Sequence, residues 1–172
     1  MKLKSVALAI SALVLSVGAQ AGNLGTLSIP SSTSFSASAS TGMLDETWSF
    51  ETLASSYANA TVTNTVTVLM NSVLYGLSNF SATLDGTPLV LSHVITGTSP
   101  FIQDMQTLAM TPILIGAGTH QLKVTGTVIG QYGGGYSTTL ALAAAPVPEP
   151  ETYAMMLAGL GALGFLASRR RG

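Results

Sequence analysis

Two histidines are the residues of this chain best suited to acid–base or metal chemistry. They are His93 and His120, and the chain has no others. Asp85 or Asp104 would complete a Ser–His–Asp arrangement or a two-histidine metal site. Neither histidine has neighbours at metal-ligand spacing, and serine is so abundant that a serine near a histidine carries no information. We therefore expect half-exposed residues on strand faces, and a hydrolase is the least favoured function.

Three acidic residues lie close together in the sequence, at Asp45, Glu46 and Glu51. A glycosidase needs two carboxyl groups about 5–10 Å apart. On a strand Asp45 and Glu51 would share a face but lie about 20 Å apart, and Glu46 would point the other way. We expect a solvated strand rim that discourages edge-to-edge pairing. The sequence predicts no catalytic residue, no metal site and no cofactor.

The aromatic residues offer a different chemistry, the stacking of sugar rings. Tyr132 and Tyr136 flank the loop Gly133-Gly134-Gly135, which we expect to be mobile. This places a possible glycan contact at Tyr132 and Tyr136, and the protein would then be a carbohydrate-binding module. Trp48 is expected to be a core anchor between sheets instead.

Alternating strands must position all of these residues. Ala60, Val62, Val66 and Val68 share one face of a strand, and the intervening threonines share the other, with Asn64 as the exception on the apolar side. Asp85-Gly86 predicts a tight hairpin turn into a strand over residues 89–91. Residues 46–53, 80–84, 122–128 and 136–142 also read as strands, whereas 99–111 is either a helical turn or a strand. The pattern predicts an all-β antiparallel β-sandwich, Ig-like or jelly-roll.

Composition narrows the class of protein further. The chain contains no cysteine, which excludes disulfides and thiol catalysis. Between residues 22 and 145 five carboxylates face one lysine, Lys123. Such a surface has no basic patch, so nucleic-acid binding is excluded.

The first 21 residues have the pattern of a secretory signal peptide. Lys2 and Lys4 form a basic region, residues 5–17 an apolar region, and Ala19-Gln20-Ala21 a small-residue cleavage site. We expect the exported domain to begin at Gly22 and to extend to residue 145.

Residues 146–172 form a second targeting segment. The triplet Pro148-Glu149-Pro150 must be extended. An apolar run of fifteen residues follows, 153–167, and then Arg169, Arg170 and Arg171. As a helix the run is about 22 Å long, against a hydrocarbon core of roughly 30 Å, so it predicts a short transmembrane helix with snorkelling arginines. The arginines set the topology by staying in the cytoplasm.

These tail features resemble the PEP-CTERM sorting signal of Gram-negative bacteria. The resemblance implies recognition by exosortase, a membrane-embedded transpeptidase-like protease thought to cut near the Pro-Glu-Pro triplet. The protein would be transiently anchored in the membrane and then pass to the cell envelope or the exterior. The alternative is an ordinary C-terminal anchor that is never processed.

The middle of the chain resembles the FxDxF family of small PEP-CTERM proteins. The residues that carry this resemblance are 44–50, 76–89 and 116–122, where Leu44, Glu46 and Trp48 stand for the naming motif. The resemblances imply a place and an architecture. With the low charge and abundant hydroxyl groups of the domain, they lead us to expect a non-enzymatic surface or matrix protein, structural or adhesive in a biofilm, with exopolysaccharide as a partner. A carbohydrate-binding module is the alternative.

Overall fold

A computed structural model of the chain describes residues 14–16, 21–146, 154–161 and 169. Within these residues the polypeptide forms thirteen strands in two sheets. In chain order they are β1 (Val14–Ser16), β2 (Ala21–Leu27), β3 (Ser31–Ala39), β4 (Met43–Thr52), β5 (Ser56–Leu69), β6 (Ser72–Tyr75), β7 (Leu77–Leu84), β8 (Thr87–Pro88), β9 (Val90–Thr98), β10 (Phe101–Ala109), β11 (Ile113–Ile115), β12 (Gly118–Val128) and β13 (Gly134–Ala144).

The larger sheet has the order β1-β3-β13-β5-β10-β9, and β6 and β11 also pair with β5. The smaller sheet has the order β2-β4-β12-β7-β8. The chain alternates between the sheets from β2 to β5, and β12 and β13 return to the middle of each. Two mainly antiparallel sheets with this order form a β-sandwich, the predicted class of fold. Among the described strands only two neighbouring pairs are parallel, β1 with β3 and β2 with β4.

Period-two alternation builds the strands as expected. In β5 the side chains of Ala58, Ala60 and Val62 are buried, whereas Asn59 and Thr61 between them point outward. In β4 the buried positions are the even-numbered ones, including Trp48 and Phe50. Because one face of each strand is apolar, the two sheets bury those faces against each other.

Trp48 is the anchor of this core, as predicted. It is 1% exposed, and its ring centroid in the smaller sheet lies 4.5 Å from that of Phe35 in the larger. Such aromatic contacts add about 0.5–1.5 kcal/mol to the free energy of area burial. The contact therefore helps to hold the two sheets together.

Asn64, the polar exception on the apolar face of β5, links the two sheets. It is 1% exposed. Its amide nitrogen donates to the Leu77 carbonyl at 3.1 Å, and the Leu77 amide donates to its side-chain oxygen at 3.3 Å. The first residue of β7 thus satisfies its backbone groups on a side chain of the other sheet, which explains a polar residue at this position.

The hairpin between β7 and β8 forms at the predicted turn. Asp85 and Gly86 have φ values of 48° and 79°, both in the left-handed region, as a two-residue hairpin loop requires. The predicted strand 89–91 does not form as one unit after this turn. β8 ends at Pro88, and Val90 and Leu91 belong to β9, which lies in the larger sheet.

Segment 99–111, for which a helical turn and a strand were the alternatives, contains the strand β10. It pairs with β5 on one side and β9 on the other. All nine residues of β9 are exposed, although the inner residues of β5 and β13 are buried. β9 therefore lies beyond the part of the larger sheet that the smaller sheet covers.

The run Gly133-Gly134-Gly135 is not the mobile loop that was predicted. β13 already begins at Gly134. A Cβ added at Gly135 would lie 2.5 Å from the Ala37 carbonyl oxygen, and one added at Gly134 would collide with the carbonyl of Gly76. These glycines allow neighbouring backbones to approach closely, so the segment is packed.

Candidate functional site

His120 is bound to the protein through both nitrogens of its ring. Nδ1 lies 2.7 Å from an Asp85 carboxylate oxygen, and Nε2 lies 3.1 Å from the Gly116 carbonyl. The other oxygen of Asp85 accepts the backbone amide of Gln121 at 2.8 Å. Since neither nitrogen is left for a substrate proton, this geometry ties the β7–β8 turn to β12 and suits structure better than general-base catalysis.

His93 has a looser environment on the exposed β9. Its Nδ1 lies 3.8 Å from an Asp104 oxygen, and its side chain is 61% exposed. No hydroxyl group contacts the ring among the described hydrogen bonds, so a Ser–His–Asp arrangement does not form there. Within the described part of the chain, no three His, Asp or Glu side chains converge where they could hold a metal ion.

The expected acidic rim exists only in part. Asp45 pairs with Lys123 at 3.0 Å, and Glu51 accepts the Thr26 hydroxyl at 3.2 Å, so both lie on the outer face of β4. Glu46 points the other way from Asp45 and Glu51, as predicted, and it is not part of a solvated rim. It is 4% exposed, because it shares its face of the strand with Trp48 and Phe50.

Glu46 belongs to a buried hydrogen-bond chain that crosses between the sheets. The Trp48 Nε1–H group donates to the Tyr136 hydroxyl at 2.7 Å, and that hydroxyl donates to a Glu46 carboxylate oxygen at 2.8 Å. Burial raises the pKa of Glu46 above its usual 4.5, and the hydrogen bonds from Tyr136 and Trp48 lower it in part. Burial also raises the pKa of Tyr136, so its hydroxyl remains a donor at physiological pH.

This buried carboxyl group predicts a pH dependence of stability. With a raised pKa, folded Glu46 retains its proton at pH values where the unfolded chain has lost it. The free energy of unfolding should therefore fall as the pH rises from about 4.5 through the raised pKa, and then level off. Urea unfolding between pH 4 and pH 8 measures this. Glu46→Gln should remove this component, whereas Glu51→Gln, at an exposed position, should keep it. An identical pH slope in Glu46→Gln and the parent would contradict the assignment.

Tyr136 itself is not a glycan contact. It is 4% exposed and its hydroxyl is engaged inside the core, so its ring offers no face to a sugar. The predicted pairing of Tyr132 with Tyr136 as a stacking surface is therefore wrong. Tyr132 is 77% exposed. Its loop runs along β6, where the Tyr132 amide donates to the Leu74 carbonyl at 2.8 Å.

The outer face of the larger sheet carries hydroxyl groups and, in its described strands, no charged side chain. Serines from β3 and threonines from β5 border β13, and Ser34 lies 3.3 Å from Thr139 between their hydroxyl oxygens. Each hydroxyl is both donor and acceptor, as are those of a sugar. The outward hydroxyl residues of these three strands are Ser32, Ser34, Ser36, Ser38, Thr61, Thr63, Thr65, Thr67, Ser137 and Thr139.

A cleft of about 330 Å³ interrupts this hydroxyl face at Gly135. Tyr75 forms one wall, since its hydroxyl lies 2.6 Å from the position of a Cβ added at Gly135. Burial raises the pKa of Tyr75, so this hydroxyl too remains protonated. The other hydroxyls of the lining come from Ser36, Ser38, Thr63, Thr65 and Ser137. Nothing in the local sequence pattern brings β6 next to Gly135, so the position of Tyr75 at this cleft could not be predicted.

The C-terminal segment is described only in part. Residues 154–161 are helical and lie within the predicted helix 153–167. Their larger apolar side chains, Met155, Met156, Leu157 and Leu160, are 59–76% exposed. No helix among the described residues is long and apolar enough to cross a membrane. Pro148, Glu149, Pro150, Arg170 and Arg171 lie outside the described residues, as does Ala19 of the predicted signal cleavage site.

Comparison with solved structures finds the pre-peptidase C-terminal domain of a collagenase from Bacillus anthracis. It is 10% identical, with a TM-score of 0.31, and the match covers 72% of this chain and 97% of that domain. So low a score carries no argument about function. No curated protein matches the chain. The resemblance of residues 44–122 to the FxDxF proteins remains a prediction.

A comparison with family models gives a result for the tail. The model of the PEP-CTERM protein-sorting motif matches residues 146–171, the segment that holds the proline triplet, the apolar run and the arginines. Residues 146–171 are thus a PEP-CTERM protein-sorting motif, which implies export, recognition by exosortase and transient anchoring in the membrane.

Proposed function

We propose that this protein is a non-enzymatic adhesive or structural component of an exopolysaccharide matrix outside the cell. The sorting motif supports the location. The observation that carries the adhesive role is the uncharged hydroxyl face of the larger sheet, with its cleft beside Tyr75. A neutral polysaccharide presents repeated hydroxyl groups to such a face, and neither partner has to lose the hydration shell of a charge.

The proposal includes removal of residues 1–21 on export. Cleavage after Ala21 takes away β1 and leaves Gly22 as the first residue of β2. Gly22 lies directly against the Trp48 ring, and its carbonyl accepts the Ser49 hydroxyl at 3.3 Å. Since β2 pairs with β4 from this point on, the processed chain keeps the smaller sheet complete.

The proposal also includes a membrane stage. The exposed apolar side chains of helix 154–161 favour an apolar surrounding over water. Extended to 153–167, the helix would be a short span, and the arginines after it would hold its end at the cytoplasmic face. Exosortase would then release the domain into the matrix.

We propose that sugars contact the protein at this cleft. This assigns the alternative function, a carbohydrate-binding module, to particular residues. Tyr75 supplies a ring edge and a hydroxyl, and the exposed Tyr132 lies in the loop that hydrogen-bonds to β6. At about 330 Å³ the cleft is at the small end of ligand pockets, a size suited to a short segment of a sugar chain.

Binding to insoluble cellulose and to the host's own exopolysaccharide tests this placement. We expect Tyr75→Ala to weaken binding about tenfold, equivalent to about 1.4 kcal/mol, because it removes the wall of the cleft. Tyr75→Phe keeps the aromatic ring and should retain most of the binding of the parent protein. Tyr57→Ala is the matched control, since Tyr57 points outward from the far end of β5.

Two results would decide against the proposal. One is the absence of measurable binding by the folded parent protein to either polysaccharide. The other is an equal loss in Tyr57→Ala and Tyr75→Ala, which would remove the cleft as the contact. Circular dichroism of each variant checks that the fold is retained.

A further inference from the structure

The edge of the larger sheet at β9 is open and unusually apolar. Among the described strands, β9 pairs with β10 on one side and has no neighbour on the other. Its large apolar side chains are exposed on both faces of the sheet: Val90 by 74%, Leu91 by 47%, Val94 by 54% and Ile95 by 67%. An edge of this kind presents unpaired backbone groups beside apolar side chains, which is the usual template for pairing with another strand.

Natural edge strands are normally protected, and β9 has none of the usual protections. It contains no lysine, no acidic residue and no proline. Its register with β10 runs without a bulge from Val90 to Thr98. The strand is regular up to Thr96, because Gly97 then adopts a φ of 87°. Seven consecutive residues, 90–96, thus form a straight, uncharged edge apart from His93.

We propose that β9 pairs antiparallel with β9 of a second copy of this chain, about a two-fold axis at His93. The segment 90–96 is centred on His93, so every residue in it gains a partner. On the inner face Leu91 of each copy then lies opposite Ile95 of the other, and on the outer face Ser92 lies opposite Val94. An isologous contact of this kind needs one self-complementary surface, and the uncharged strand meets no like-charge repulsion from lysine or carboxylate.

The size of the contact places it among weak, reversible associations. Seven residues at about 3.4 Å each make an edge on the order of 24 Å long. With side chains on both faces, two copies would bury on the order of 1,000 Å² in total, the low end of specific interfaces. We therefore expect a reversible dimer that forms at micromolar concentrations.

Pairing about this axis has a geometric consequence for the hydroxyl face. An axis perpendicular to the sheet keeps the outer faces of both copies on the same side of one continuous sheet. Two clefts would then face one polymer, and the second contact would become intramolecular, which raises avidity without any new contact. The dimer itself goes beyond the proposed function and does not rest on it.

The absence of cysteine makes the register directly testable. In the full chain, kept in non-ionic detergent, His93→Cys places two thiols opposite each other at the axis, within the 4.4–6.8 Å Cα separation that a disulfide needs. Thr96→Cys is the matched control, because the two copies of residue 96 would lie about 20 Å apart. Mild oxidation should therefore cross-link His93→Cys at least about fivefold more than Thr96→Cys.

A second measurement uses uncrosslinked protein. Ile95→Lys places a charge opposite Leu91 of the second copy and should shift the mass in analytical ultracentrifugation toward the monomer. Leu53→Lys, an equally exposed leucine outside β9, should not. Equal cross-linking at positions 93 and 96, or an unchanged mass in Ile95→Lys, would overturn the proposal. Absence of polysaccharide binding by a protein that is dimeric would contradict the proposed function and leave the dimer unaffected.

Discussion

Replacing Tyr136 with phenylalanine is expected to lower the free energy of unfolding by about 2–4 kcal/mol. The variant keeps the ring and removes one oxygen, but that oxygen serves two buried partners. It accepts the Trp48 Nε1–H group at 2.7 Å and donates to Glu46 at 2.8 Å. Both would lose this partner inside the core, and a buried carboxylate that loses a hydrogen bond is the more costly of the two.

Urea denaturation at pH 7 measures this loss, and a double-mutant cycle separates its causes. Tyr136→Phe combined with Glu46→Leu should lose less than the sum of the single variants, because no carboxylate then remains unpaired. Tyr57→Phe, which removes a hydroxyl from a half-exposed tyrosine, should change stability by less than about 0.5 kcal/mol. A loss below about 0.5 kcal/mol in Tyr136→Phe would show that the network contributes little.

Replacing Pro148-Glu149-Pro150 with three alanines is expected to abolish release of the protein. Proline disfavours helix for itself and for the residue before it, and a protease active site generally needs an extended backbone. Alanine favours helix, so the helix beyond would grow back through the cleavage region. The expected product is an uncleaved precursor that stays in the membrane fraction, detected by its mass and by fractionation.

Two further strains make this result specific. Without exosortase the parent protein should give the same membrane-held precursor. With Arg169, Arg170 and Arg171 changed to glutamine, the tail should instead lose its fixed topology and slip through the membrane. A triplet variant that is processed and released like the parent would show that the tail is only an anchor, and exosortase processing would have to be abandoned.

The strands of the domain could be predicted from the local sequence pattern. Alternation in β4, β5, β12 and β13 follows from the two-residue period of an extended chain, and Asp85-Gly86 specifies its own turn through residues that tolerate positive φ. The same parity also held information that was only partly used, since it turned Glu46 away from Asp45 and Glu51 without predicting that Glu46 is buried. Glu46 has the parity of Trp48, and Tyr136 has the parity of Leu140, so both belong to inward faces. Their polar character suggested solvent, because a buried carboxylate is rare unless it has a partner.

That partner could not be read from the sequence. Glu46 and Tyr136 are 90 positions apart, and Trp48 and Tyr136 are 88 apart. Each pair meets only because β4 and β13 pack face to face from different sheets. The Tyr75 cleft also depends on contacts between distant strands. β5 pairs with β13 as far as Asn64 and with β6 from Thr67 onward, and this brings Tyr75 next to β13.

The sequence by itself determined the sorting address and the class of fold. Both are local properties: an ordered series of proline triplet, apolar run and arginines, and a periodic alternation along each strand. Only the tertiary structure decided which sheet each strand joins, which tyrosine is buried and which is exposed, and which edge remains open at β9. Those outcomes depend on contacts between residues far apart in the chain, and local periodicity carries no record of such contacts.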